Sequence, residues 1–297
     1  MTVEGYCTQQ FEELRDVLGA SLASGEDLGA SVAVILEGKT VADLWGGWAD
    51  QARTRPWQEH TLTNVWSTTK TMTSLAALVL ADQGELDLDQ RVAHYWPAFA
   101  AAGKQDVRVR HLLSHTSGVS GWAQPVAVED LYDWDKSTAM LAAQPLWWEP
   151  GSASGYHALN QGHLVGEVIR CITGRRLGRF FADEIAGPLG ADFHIGLPAE
   201  HDDRVANVVP PPPLPFDLDT LDPESPAYRT FTGPAPEASV AWTSAWRRAD
   251  IGAANGHGNA RSVARCQALV ANGGEIDGVR LLSEATIARV FDQQSDG

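Results

Sequence analysis

The sequence is short of cysteine, of lysine and of long apolar runs, and each shortage excludes a class of protein. Its three cysteines, Cys7, Cys171 and Cys266, stand alone, with no C-x-x-C pair and no Cys/His spacing suited to a metal. They read as reduced thiols of a cytoplasmic protein, not as a disulfide framework. No apolar stretch approaches the roughly 20 residues that span a bilayer. The N-terminus, Met1 to Cys7, has no basic segment followed by an apolar one, so no secretory signal is read there. Basic residues number 22 against 38 acidic ones, a net charge of −16. That balance disfavours nucleic acid and an anionic membrane surface as partners. H-E-x-x-H and G-x-S-x-G are also missing, which removes two common hydrolytic signatures.

What is present is enough for a core: 44% hydrophobic residues and 11 tryptophans in 297 residues. The length suits one large domain or two interleaved lobes. Residues 8–24 carry apolar side chains at helical spacing (Phe11, Leu14, Leu18, Leu22). Ser31–Leu36 is a strand-like run, Glu37-Gly38-Lys39 a turn, and Thr40–Trp48 returns as a second strand, which predicts a hairpin. A hairpin is marginal alone, so a wider sheet is expected. Further helices are predicted after Ser67 as far as Gly84, over 159–172, and over 262–271 and 283–292. The proline-rich run 208–216 predicts an extended, stiff surface loop.

Ser67-Thr68-Thr69-Lys70 places a hydroxyl and an amine at i and i+3 at the start of a helix, on one face. A serine hydroxyl becomes a good nucleophile when a neighbouring base takes its proton. Lysine serves as that base when burial lowers its pKa. Only four lysines occur, Lys39, Lys70, Lys104 and Lys136, and Lys70 lies beside Trp66 and an apolar helix, an unusual place for a merely solvated charge. A second candidate base is Tyr156, which follows a glycine and precedes a helix. His111, His115, His157 and His163 read as structural, because none falls in a metal or triad motif.

Three segments in this order, Ser67-Thr-Thr-Lys70, His111-Leu-Leu-Ser-His-Thr-Ser-Gly118 and Glu149-Pro-Gly-Ser-Ala-Ser-Gly-Tyr156, resemble the β-lactamase-related serine hydrolases. That family includes class C β-lactamases, D-alanyl-D-alanine carboxypeptidases and family VIII carboxylesterases. Leu86–Asp89, Pro188-Leu-Gly190 and Asn255–Arg261 extend the resemblance over roughly residues 10–297. It implies an α/β (α+β) fold of the β-lactamase/transpeptidase type, an antiparallel sheet flanked by helices plus a mainly helical lobe. The expected division is a single domain with sublobes 1–60 plus 252–297, and 61–251. The resemblance also implies Ser67 as the acylated nucleophile, with Lys70 and Tyr156 sharing its proton, and no metal or organic cofactor.

Two departures shape the functional expectation. The third residue of the family's Y-x-N motif is Ala158 here, which tilts the reading from lactams toward small acyl esters. The K-T-G-type motif of a C-terminal strand is missing after Ser67, and Gly256-His257-Gly258 matches a family loop instead. The sheet is therefore expected to be incomplete, leaving open self-association through its edge. The favoured expectation is a cytoplasmic carboxylesterase acting on a small-molecule ester or amide. The alternatives are a β-lactamase or D-amino-acid peptidase, and a catalytically inactive binding fragment.

Overall fold

The computed structural model describes residues 2–210 and 218–295. The chain opens with strand β1 (Val3–Cys7), helix α1 (Glu12–Ser24) and the hairpin β2 (Gly29–Leu36) to β3 (Lys39–Gly47). Glu37 and Gly38 both take positive φ, +49° and +74°, the two-residue turn geometry whose twist matches the flanking strands. The three strands form an antiparallel sheet in the order β1-β3-β2. β1 goes unnoticed in the sequence because Glu4, Gly5 and Tyr6 are all exposed and give no alternation. Leu18 and Leu22 of α1 cover one face of the sheet and pack with Cys7, Ala42 and Leu44. Each fully buried side chain of this size contributes about 1.5–3 kcal/mol.

The short strand β4 (Leu62–Asn64) leads through a tight turn into α2 (Thr69–Asp82), the central helix of the molecule. α2 is buried nearly all round: Met72, Leu75, Ala76, Val79 and Leu80 are almost wholly enclosed. α4 (Asn160–Thr173) and α5 (Leu177–Phe181) pack against it, and α3 (Trp134–Ala143) packs on α4. Then come β5 (His194–Ile195), β6 (Val205–Ala206) and β7 (Gly256–Gly258), which join β4 in a small mixed sheet of order β5-β7-β4-β6. α6 (Ala260–Ala271) packs on β2 and so ties the end of the chain to the first sheet. A two-stranded hairpin, β8 (Glu275–Ile276) with β9 (Val279–Arg280), and α7 (Glu284–Val290) follow.

Two sequence expectations need correction. Gly256–Gly258 is not a loop: it is β7, paired with β4 through Thr63↔Gly258 and Asn64↔His257. Strands are also not concentrated near the N-terminus alone, since β4, β5 and β6 lie inside the segment 61–251 expected to be mainly helical and β7 lies in 252–297. Both were hidden because strands of two or three residues are too short to show a period. The proline-rich run 208–216 falls mostly outside the described residues. β2 pairs on one side only among the described residues, so that edge of the first sheet is open. No helix among the described residues is long and apolar enough to cross a membrane.

Candidate active site

Ser67 is presented by a strand-to-helix turn. Val65 N–H donates to Gly256 O at 2.9 Å, which pins the end of β4 to β7. Asn64 Nδ2 donates to Ala254 O at 3.1 Å, and its Oδ1 accepts from the Trp246 indole at 2.9 Å. Trp66 then takes φ +47°, a left-handed conformation rare for a bulky aromatic residue. This single kink turns the chain from strand to helix and leaves Ser67 exposed at the first turn. N–H groups of a first helical turn have no intrahelical acceptor, and they favour negative charge placed beside them.

Lys70 points back along the same face, one turn on. Its Nζ donates to Ser67 Oγ at 3.0 Å, to Ala158 O at 2.7 Å and to Ala253 O at 3.0 Å. The ammonium thus has three acceptors for its three protons, all of them uncharged. Burial pushes the Lys70 pKa below its ordinary value of 10.5, with the neighbouring Tyr156 oxygen acting in the opposite direction. The side chain of residue 158 plays no part in this: the backbone carbonyl of Ala158 makes the contact.

Ala253 reaches Lys70 because the preceding loop is folded on Asn255. Asn255 Oδ1 accepts from Ile251 N–H at 3.0 Å, while its Nδ2 donates to Trp246 O at 2.9 Å and Ala249 O at 2.5 Å. The chain here passes close against Gly162 of α4, where an added Cβ would lie 2.4 Å from Ala253 N. Asn64, Trp246, Ala253 and Asn255 were all missed as site residues from sequence. Their contributions are backbone carbonyls or buried amides, and only the motif match at Asn255–Arg261 hinted at them.

Tyr156 comes from the loop before α4 and is 42% exposed. Its hydroxyl donates to Ser67 Oγ at 2.7 Å, and its ring lies 4.8 Å from Lys70 Nζ. The structure therefore brings all three sequence-picked residues together: Ser67 Oγ stands between Lys70 and Tyr156. His157, next in sequence, turns the other way. Its Nδ1–H donates to Gly155 O at 2.6 Å, so its Nε2 accepts from the Ser117 hydroxyl at 2.6 Å. Burial pushes the His157 pKa down to about 3, and the ring stays neutral. This Ser–His pair is fully enclosed and out of reach of any substrate. His163 stacks on Trp134 at 5.1 Å and is equally enclosed. His111 accepts from Arg108 N–H at 3.2 Å away from the site.

A groove of about 850 Å³ lies along β2, between Val32, Trp48, Trp57, Thr68 and Val263, and Ser67, Lys70 and Tyr156 are not part of its lining.

The chain belongs to the beta-lactamase family: the family model described as Beta-lactamase matches residues 14–297. Among curated relatives, Esterase/beta-lactamase LipL of Mycobacterium tuberculosis is 37% identical over 271 residues, covering 87% of this chain and 62% of that protein. Among solved structures, a family VIII carboxylesterase superposes with a TM-score of 0.93 at 44% identity, over 99% of this chain and 78% of that one. A penicillin-binding protein homolog from Caulobacter crescentus superposes with a TM-score of 0.91 at 37% identity, over 100% of this chain and 79% of that one. The fold is thus the β-lactamase/transpeptidase type expected from the sequence.

Proposed function

We propose that this chain is a serine hydrolase of the carboxylesterase kind, cleaving small acyl esters through an acyl-enzyme on Ser67. The observation that carries the reading is the placement of Ser67 Oγ within hydrogen-bonding distance of both Lys70 Nζ, at 3.0 Å, and Tyr156 Oη, at 2.7 Å. In its neutral form Lys70 keeps two N–H bonds for Ala158 O and Ala253 O and turns its lone pair to the Ser67 proton. Ser67 Oγ then bonds to the ester carbonyl carbon. The tetrahedral intermediate collapses as the carbon–alkoxy bond breaks, and Tyr156 gives its proton to the leaving alcohol. Lys70 returns the proton it took to the phenolate. Deacylation runs in reverse, with water in place of the alcohol: its proton goes to the same pair, its oxygen bonds to the acyl carbon, and Ser67 leaves with a proton.

The esterase and carboxylesterase relatives support esters as the substrate class. Ala158, standing where β-lactam-cleaving relatives keep an amide, points the same way. The test is incubation with a fluorophosphonate followed by intact mass spectrometry. One adduct on Ser67, lost in Ser67→Ala, is the expected result. Well-folded protein with no adduct would overturn the reading and favour a binding role. Turnover of p-nitrophenyl butyrate should exceed that of nitrocefin, and the reverse order would favour a β-lactamase.

A further inference from the structure

We propose that His115 is a positioning residue that holds the Tyr156 hydroxyl on Ser67. This rests on the hydrolase reading above and adds a residue to it.

His115 accepts hydrogen bonds from both neighbours of Tyr156. Its carbonyl oxygen accepts from Gly155 N–H at 2.9 Å, and its ring Nδ1 accepts from His157 N–H at 3.1 Å. Two acceptors on one residue thus hold the peptide that follows the tyrosine and the Ser154–Gly155 peptide one residue before it. The ring centroids of His115 and Tyr156 lie 5.0 Å apart, so the same imidazole also borders the phenol. Tyr156 itself is 42% exposed, so part of its ring faces solvent and not the core. Its position depends on the loop backbone.

The chemistry of the imidazole fits the task. Burial and the charge of Lys70 push the His115 pKa down to about 4, so the ring is neutral at pH 7. A neutral imidazole has one acceptor nitrogen, and the amide of His157 requires it to be Nδ1. Nε2 therefore carries the proton, and His115 borders a cavity of about 250 Å³ together with Lys70 and Gln161. Protonating Nδ1 would both break the clamp and place a cation beside Lys70. The backbone conformation points to the same use: His115 takes φ +62°, in the left-handed region, where histidine, asparagine and aspartate are tolerated better than most residues. That twist lets carbonyl and ring of one residue face the same loop. The next turn is closed independently by Thr116 N–H to His111 O at 2.9 Å and Gly151 N–H to Thr116 O at 2.8 Å. The clamp therefore stands on a rigid base.

The measurement is the rate of Ser67 phosphonylation by the fluorophosphonate, with folding checked by circular dichroism and thermal unfolding. His115→Phe keeps an aromatic ring and removes the acceptor; we expect labelling to slow by about 10²-fold, the scale of a small misplacement of a reacting group. His115→Asn keeps an acceptor near the Nδ1 position and accepts the left-handed backbone, and should recover most of the loss. If His115→Phe fails to fold, His115→Gln takes its place, since its amide lies one atom too far out. In a Tyr156→Phe background the His115 substitution should cause no further loss, because it acts through the hydroxyl already removed. Wild-type rates in the folded His115→Phe or His115→Gln protein, or a full additional loss in the double variant, would overturn the proposal. Absence of labelling in the wild type would instead overturn the hydrolase reading.

Discussion

Tyr156 Oη donates to Ser67 Oγ at 2.7 Å although 89 positions separate the two residues. Lys70 completes the group from the same helical turn as Ser67, so the site joins one local pair to one distant loop. The hydroxyl of Tyr156 is the only atom that phenylalanine lacks. Tyr156→Phe should therefore slow acylation at least about 10²-fold while the loop stays folded, and Lys70→Ala should do the same. Phosphonylation rates give the answer directly. A near-normal rate in either variant would remove that residue from the mechanism.

The buried state of Lys70 sets a pH dependence. Its folded-state pKa lies below 10.5, chiefly because burial disfavours the ammonium. The base form thus becomes populated at lower pH than it would in a free lysine. Acylation should rise with pH along a limb whose apparent pKa is below 10.5. Lys70→Arg, which keeps the charge and never loses its proton, should abolish that limb along with most of the rate. An ascending limb that survives in Lys70→Arg would assign the titration to another group.

Gly162 provides a test of how α4 supports the site. A methyl group there would meet Ala253 N at 2.4 Å and Gly252 at 2.6 Å, all backbone atoms. Helix propensity alone would favour alanine by about 1 kcal/mol. The clash should win, with Gly162→Ala losing a net 1–3 kcal/mol or so in urea unfolding, as overpacked interiors do. The displaced 252–253 segment carries the carbonyl that holds Lys70, so acylation should slow in the same variant. An equally stable, equally active Gly162→Ala protein would show that the loop moves freely.

Acid should destabilise the fold well above the carboxylate range. Burial, first among the causes, pushes His115, His163 and His257 down to about 4 and His157 to about 3, from 6.5. Between pH 6.5 and about 4 the unfolded chain therefore binds more protons than the folded one. Stability rises with pH in that window and is lost as pH falls, by up to about 1.4 kcal/mol per unit for each histidine. Asp250, raised to about 6 by burial, opposes this from about pH 6 downward, as one group against four. Urea midpoints should fall steadily from pH 7 to pH 5, and less steeply in His163→Gln. A flat profile would contradict these buried neutral histidines.

Ser67 and Lys70 were legible because their relationship is local: a spacing of three on a helix is a statement about side-chain direction. The hairpin was legible through two strand-like runs on either side of the Glu37-Gly38-Lys39 turn, and α4 through its apolar face. Tyr156 was found by its motif, with no physical signal linking it to Ser67. The histidines at 111, 157 and 163 were read as structural, and each is engaged away from Ser67. His115 was read the same way, with nothing in its motif to show that it faces both sides of Tyr156. The strands β4 to β7 escaped notice since two or three residues carry no period.

By itself, then, the sequence determined the local elements, the pairing of Ser67 with Lys70 on one helical face, and the family pattern, because these depend on spacing along one helix or on ordered motifs. Only the tertiary structure decided what surrounds Lys70. The carbonyls of Ala158 and Ala253 come from two separate loops, and every residue type carries a carbonyl, so no side-chain pattern announces them. The left-handed turn at Trp66 and the strand β7 that braces it are likewise products of packing. Burial, which shifts the pKa of Lys70, is a property of the assembled fold and not of any four-residue motif.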